Sequence, residues 1–351
     1  IMETLNPPIM KIKMSKITQT EKKLQIGVLG CSRVAKRYFF PYISSSEFAD
    51  VAFIGSRSFE KAQQYAKDYD IKKFGSYEDV INSDVDIIYI SLPISMHEEW
   101  CIKSAKSGKH ILCEKSSTTS YESAKKILNV CKENNVRILE AFAFRFHPQH
   151  KLIKNLIDDE LGEINNFYGI FGFSSPDEHD IRWQKELGGG VLNDVTCYPI
   201  CASRIIFNSE PLSVLAYFEY EEKFGVEKHA NALIKYSNQK TAFISSGYDN
   251  YYQSKYSIWG SDAKISTKRA YSVPQDYNAS IFLHKNDEII ETTVLPADQF
   301  GIMCDIFCNV ITKKITNPFD FEQDLLNQAR LMESIRISQQ ENRVVLLSEF
   351  D

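Results

Sequence analysis

The feature that most restricts what this chain can fold into is a repeated switch of hydrophobic period that starts at Leu24. Short runs that are apolar on every side, at 24–29, 51–55, 86–92, 110–113 and 137–141, alternate with stretches of helical period. Those stretches start from 33 and continue at 59–69, near 77–81, at 97–107 and at 120–134. A strand apolar on both faces has to be covered on both faces, and the intervening helices return each strand parallel to the last. Residues 24–142 are therefore predicted to form a doubly wound parallel sheet, with helices on either side.

The pattern changes after Phe142. A helix at 150–158 and a glycine-led segment from 188 precede runs at 212–220, 230–236, 240–247, 256–260, 279–283 and 288–294. The alternation of these runs is that of an open, mostly antiparallel sheet. Helices at 300–312 and 321–341 close the chain. The expectation is an α/β protein of two units, 24–142 and 143–351, which agrees with the roughly two domains that 351 residues suggest. With no repeat and no low-complexity linker, the two should share an extensive interface. Residues 1–23 are polar and Lys-rich, carry Pro7-Pro8, and read as a flexible arm or a start-site artefact.

Charge and composition exclude several classes. With 41 Lys plus Arg against 46 Asp plus Glu, the net charge of −5 gives no case for nucleic acid or an anionic membrane, and the basic residues are scattered. No run reaches the roughly 18 apolar residues of a membrane helix, and the first residues lack the apolar core of a signal peptide, so a cytoplasmic location is expected. The eight cysteines include pairs at helical spacing, Cys197 with Cys201 and Cys304 with Cys308, but no C-x-x-C, and are expected to be buried free thiols. His147 and His150 flank Pro148 without an acidic or Cys partner at a familiar spacing, so no metal is expected.

The first strand runs into Gly30-Cys31-Ser32-Arg33-Val34-Ala35, a G-x-S-x-x-A form of the dinucleotide fingerprint. It follows a strand, opens a helix and lies in a βαβ unit, an arrangement that aims helix N-terminal amides at a pyrophosphate. At the end of the second strand an Asp or Glu would bind a ribose 2′-hydroxyl. This chain instead has Ser56-Arg57, and Arg57 suits a 2′-phosphate, so NADP(H) is preferred over NAD(H). The bland alternative is a solvated arginine leading a helix. Leu92-Pro93 ends a buried strand and His97 opens the next helix, at the strand ends where ligands of such sheets sit.

Strand 110–113 delivers Glu114-Lys115 to the same edge. Lys115 is thereby placed to orient a nicotinamide, to polarise a carbonyl or to lower the pKa of a nearby phenol, unless it merely begins a surface loop. A phenol is offered by D-I-R-W-Q-K-E-L-G-G-G-V-L-N-D-V-T-C-Y-P at 180–199, where Asp194 and Tyr198 stand one helical turn apart. Their bland reading is a capping carboxylate and a half-buried tyrosine. Arg145 and Arg182 are candidates for phosphate contacts or for interdomain salt bridges. Trp183, Tyr248 and Tyr252 are candidates to stack on a sugar or base, or simply to pack.

Five motifs together carry a family resemblance from Leu24 onward: I-G-V-L-G-C-S-R-V-A at 26–35, S-R at 56–57, H-I-L-C-E-K at 110–115, E-A-F-A-F-R-F-H-P-Q at 140–149 and G-G-G-V-L-N-D-V-T-C-Y-P at 188–199. The chain resembles the glucose–fructose oxidoreductase, inositol dehydrogenase and MocA-type family. That likeness implies an N-terminal Rossmann domain over 24–142 and a C-terminal α/β domain over 143–351. The latter would bind substrate and assemble homodimers or homotetramers through its sheet. H-D-I-R-W at 179–183, Y-Q-S-K-Y-S-I-W-G-S at 252–261 and P-A-D-Q-F at 296–300 resemble the NADPH-dependent nucleotide-sugar 3-ketoreductases of deoxysugar biosynthesis. In that subgroup the lysine and tyrosine matching Lys115 and Tyr198 serve the chemistry.

The resemblance thus implies hydride transfer from NADPH to a sugar ketone. Tyr198 would donate the proton, Lys115 would make it a better acid, and Asp194 would orient Lys115 or a sugar hydroxyl. Gly30, Cys31, Ser32, Arg33, Val34, Ser56, Arg57, Leu92, Pro93, His97, Glu114, Lys115, Arg182 and Trp183 would line the cofactor site. An NADP-dependent aldose 1-dehydrogenase or dihydrodiol dehydrogenase shares the same motifs, and a non-catalytic NADP-binding regulator shares the fold. Two departures stand out. Ser116 replaces the usual proline after E-K, which leaves the lysine less firmly aimed. Asn193 and Thr196 are unusual beside Asp194 and put substrate fit in doubt.

Overall fold

A computed structural model describes residues 22–351; the N-terminal arm, save for Lys22 and Lys23, lies outside them. The first six strands are β1 (Leu24–Leu29), β2 (Ala49–Gly55), β3 (Lys73–Gly75), β4 (Ile87–Ile90), β5 (His110–Cys113) and β6 (Ile138–Glu140). They form one parallel sheet in the order β3-β2-β1-β4-β5-β6. This is the Rossmann order, with the reversal between β1 and β4 where such folds bind dinucleotides. Its central strands are largely buried, with Val28, Leu29 and all of β4 at 1% exposure or less.

The second sheet has nine strands: β7 (Ile164–Gly172), β8 (Ser213–Glu221), β9 (Val226–Lys235), β10 (Thr241–Gly247), β11 (Gln253–Gly260), β12 (Lys264–Thr267), β13 (Ala279–Lys285), β14 (Glu288–Val294) and β15 (Val345–Leu346). Their order is β14-β13-β12-β11-β7-β10-β9-β8-β15, and every pairing is antiparallel except β7 with β10. Helix Cys197–Phe207 packs on its inner face, where Gly169 of β7 lies against Pro199. No helix among the described residues is long and apolar enough to cross a membrane.

The last two helices change the division into units. Helix Gln299–Ile311 places Phe300, Met303, Cys304 and Phe307 in one core with Val28, Tyr89 and Leu139 of the first sheet. Helix Phe321–Glu341 gives Leu325 and Ala329 to the other face of that sheet, and Leu331, Met332 and Ile335 to the second. Residues 143–351 are therefore not one unit of packing, because their closing helices return to clamp both layers. Arg145 joins this clamp by pairing with Asp324 (2.5 Å), which also holds the buried Arg204 (3.2 Å). Of its two sequence alternatives, the structure gives Arg145 the ion pair.

Candidate active site

The crevice begins where β1 ends. Gly30 has φ +101°, a conformation that L side chains rarely adopt, and a Cβ there would meet Leu92 and the Ser91 carbonyl at 3.0 Å. The backbone can therefore pass close to the end of β4, and Ser91 Oγ ties the turn by donating to the Leu29 and Gly30 carbonyls. Ser32 accepts from the Ala35 amide (3.0 Å), as a helix-capping hydroxyl does. Val34 and Arg33 face solvent at the mouth, Cys31 is buried, and Arg57 is exposed at the end of β2 beside Tyr77. A turn closed to any Cβ, a capped helix start and an unburied cation fit a dinucleotide.

Lys115 follows β5 and meets the second layer. Its ammonium donates to the Asp194 carbonyl (2.7 Å) and to Asp194 Oδ1 (3.2 Å), and lies 4.8 Å from the centroid of the Tyr198 ring. Asp194 Oδ2 accepts from Arg182 Nε (2.6 Å) and from the Tyr248 hydroxyl (3.3 Å). Burial works to raise the Asp194 pKa, but Lys115 and Arg182 outweigh it and hold the carboxyl below the usual range. Burial likewise opposes the charge on Lys115, and the groups around it still keep the ammonium protonated.

The segment that carries these groups is not a plain α-helix. Leu192–Thr196 is wound as a π-helix before helix Cys197–Phe207, a distortion that recurs at functional sites. The chain enters it through Gly190, at φ +110°, where a Cβ would strike the Glu227 carboxylate that accepts from the Leu192 amide (3.1 Å). Tyr198 sits among the rings of Phe142, Phe144, Phe171 and Tyr271, with centroids 5.3–6.0 Å away. Burial in that apolar cage raises the phenol's pKa, and Lys115 offsets this in part. Lys115 thus acts on the phenol in the expected direction, but burial outweighs it, and the phenol stays protonated at neutral pH.

Several residues expected at the cofactor do something else. His97 is fully buried, its ring nitrogens 2.9 Å from the Leu92 carbonyl and 3.0 Å from that of Ser116, so it braces the two strand ends. Burial lowers its pKa, but the Cys113 thiol and the two carbonyls outweigh it and favour the imidazolium. Trp183 is also buried, stacked on Phe224 and edge-on to Tyr248, which accounts for its ring by packing. Arg182 is drawn to Asp194 and Asp180, and Arg33 pairs with Asp180 (2.6 Å), so Asp180 links the glycine loop to the second layer. No spacing in the sequence signals that link. Glu114 accepts from the Tyr89 hydroxyl (2.7 Å).

The two departures also resolve. The Lys115–Ser116 peptide is cis, and Ser116 Oγ donates to the Asn193 carbonyl (3.0 Å), so the loop is anchored although proline is missing. Asn193 is held by Arg336 (2.6 Å) and by the Gly188 carbonyl, and Thr196 donates to the Val191 carbonyl (3.1 Å). Both are turned inward as braces instead of lining the substrate space. All eight cysteines are buried and unpaired, and the described residues contain no His, Cys, Asp and Glu group arranged for a metal. His150 bonds Tyr256 and the Ala270 carbonyl, and burial pushes its pKa down to about 3.

A six-stranded Rossmann sheet with a half-buried lysine, carboxylate and phenol at its ligand edge is the arrangement of an NAD(P)-dependent oxidoreductase. Residues 24–142 match the oxidoreductase family with an NAD-binding Rossmann fold, and residues 150–266 match the GFO/IDH/MocA C-terminal domain. The chain belongs to the GFO/IDH/MocA family. It is 30% identical over 322 residues (90% of this chain, 97% of the relative) to a dTDP-3,4-didehydro-2,6-dideoxy-alpha-D-glucose 3-reductase of Saccharopolyspora spinosa. It is 28% identical over 86% of its length, and 93% of the relative's, to the D-xylose 1-dehydrogenase (NADP(+)) 2 of Haloferax volcanii. Among solved structures it is similar to KijD10, a 3-ketoreductase from Actinomadura kijaniata in complex with NADP and TDP-benzene. The TM-score is 0.87 at 28% identity, covering 91% of this chain and 98% of that one.

Removing the Asp194 carboxylate would leave Lys115 and Arg182 as facing like charges. Asp194→Ala is expected to cost about 3–5 kcal/mol near neutral pH, measured by denaturant unfolding. Because the folded pKa is depressed, the advantage of the wild type is full above the unfolded value of about 3.9 and shrinks as pH falls through the folded one. Equal stabilities at neutral pH would refute the ion-pair account.

Proposed function

We propose that this chain reduces a keto group, at C3, of a nucleotide-linked deoxysugar with NADPH. The observation that carries this is the meeting of Lys115, Asp194 and Tyr198 at the strand ends beneath the Gly30 turn. The named activity of the Saccharopolyspora relative and the NADP and TDP-benzene bound by KijD10 support the substrate and cofactor classes. The cofactor, when bound, supplies the hydride. Tyr198, held protonated by its apolar cage, gives its proton to the oxygen that gains charge. Lys115 stabilises that oxygen electrostatically, while Asp194 and Arg182 fix the ammonium's position. Arg57 takes the 2′-phosphate.

Lys115→Met and Tyr198→Phe are expected to lower kcat by about 100-fold or more while NADPH still binds, as titrated by fluorescence. Near-normal turnover in both variants would remove these residues from the chemistry. Assays with a dTDP-linked 3-keto-6-deoxy sugar and NADPH, set beside free aldoses with NADP, separate the reductase from the aldose dehydrogenase. Arg57→Ala is expected to raise the KM for NADPH by about tenfold and leave that for NADH unchanged; a parallel loss for both would mean that Arg57 does not read the phosphate.

The outer face of the second sheet is proposed to pair with a second copy of the chain. Leu215, Leu233, Phe243 and Tyr168 form a row across β8, β9, β10 and β7, Tyr168 stacks on Phe243 (4.9 Å, 5°), and Trp259 leans on Tyr168 (4.8 Å). Phe243→Glu would place a charge in the middle of that row and is expected to yield a monomer by analytical ultracentrifugation. An unchanged mass would mean that assembly, if any, uses another face.

A further inference from the structure

One arginine near the crevice is braced by aromatic rings with no carboxylate within ion-pair distance among the described residues. Arg269 Nη1 donates to the Tyr252 hydroxyl (2.9 Å), and its guanidinium carbon lies 4.5 Å from the centroid of Tyr252 and 5.5 Å from that of Tyr277. A guanidinium has five N–H donors in a rigid fork, and the described contacts use one. Tyr251, the sequence neighbour of Tyr252, is 90% exposed, the most open of the exposed large hydrophobic side chains among the described residues.

The fold sets this cluster beside the reacting groups. Gln253 of β11 pairs with Gly172 of β7, and the chain just before it closes on the next residue, where the Asn250 amide donates to the Phe173 carbonyl (3.0 Å). Phe173 lies under Arg182 (5.6 Å), whose Nε holds Asp194, and touches the ring of Tyr248 (5.5 Å). Side chains alternate along β11, and Ser254, Tyr256 and Ile258 are buried on the face that carries the helix of Tyr198. Tyr252 shares their parity one residue before the strand begins. On the other side, Arg269 is bridged to Ser254, and Tyr271, two residues further, lies 6.0 Å from the Tyr198 ring.

We infer that Arg269, with Tyr252 and Tyr277, forms a subsite for the nucleoside diphosphate of the substrate. This rests on the nucleotide-sugar reading above and names the residues that hold the part of the substrate that does not react. The free edge of the guanidinium takes the phosphate oxygens in a bidentate contact, which a lysine point charge does not reproduce. The tyrosines fix the fork from one side and offer their outer faces to the base. The sugar then extends toward Lys115 and Tyr198, and the contact at Arg269 adds affinity to ground state and transition state alike, without touching the ring that reacts.

The test is isothermal titration of dTDP into the full chain saturated with NADP+, for the wild type, Arg269→Gln and Arg269→Lys. The wild type is expected to bind dTDP, Arg269→Gln to bind it at least about tenfold more weakly, and Arg269→Lys to fall between. NADP+ affinity should be equal in all three, which also shows that the variants are folded, and turnover of the keto sugar should show a raised KM with little change in kcat. Equal dTDP affinity across the three overturns the subsite while leaving the proposed reaction standing. Failure of dTDP to bind the wild type, with turnover of a free aldose, overturns the nucleotide-sugar reading and the subsite with it.

Discussion

The carboxylate of Asp194 is the point on which the two layers depend. One oxygen meets Lys115 from the first layer, the other meets Arg182 and Tyr248 from the second, and its backbone carbonyl takes a further hydrogen bond from Lys115. A buried ion pair gains little over a well-packed apolar pair, because desolvation consumes most of its attraction. What such a pair supplies is position: a lysine with two fixed acceptors cannot wander, and an ammonium fixed beside a phenol needs no reorganisation when negative charge develops. The surrounding fold serves this arrangement. His97 ties the Leu92 and Ser116 carbonyls together behind Lys115, and Ser116 reaches Asn193 on the opposite wall.

Much of the first layer is legible in the residues, since β1, β4 and β5 are apolar on both faces and only a doubly covered sheet satisfies them. β3 escapes notice because its three residues carry no period. β7 escapes for a different reason: I-N-N-F-Y-G-I-F-G contains two asparagines and two glycines, which weaken the strand signal, and Gly169 is required because Pro199 lies against it. Its place in the middle of the second sheet comes from tertiary packing that no local pattern records.

At the candidate site, residue types and spacing foretell which groups gather but not where each side chain points. Lys115, Asp194 and Tyr198 do converge, although the turn between the last two is π-wound and the expected one-face α-helical geometry does not describe it. His97 and Trp183 lie at the expected strand ends and loops, yet both are buried, because a position near a crevice does not fix the direction of a ring. Ser116 is the sharper lesson. Read alone, the loss of proline suggests a looser loop, whereas a hydroxyl that bonds across the interface gives an anchor that proline lacks.

The state of Tyr198 bears on its proposed role as proton donor. A proton donor to a nascent alkoxide must carry its proton when the reaction begins, and a base for alcohol oxidation must have lost it. The apolar rings around Tyr198 penalise the phenolate more than Lys115 relieves it, so the protonated form dominates near neutral pH. A protonated phenol is the state that this role requires, and an unperturbed phenol would also be protonated at that pH. In the proposed reaction Lys115, with its ammonium locked on Asp194 and resting against the ring of Tyr198, would hold positive charge where the substrate oxygen becomes negative.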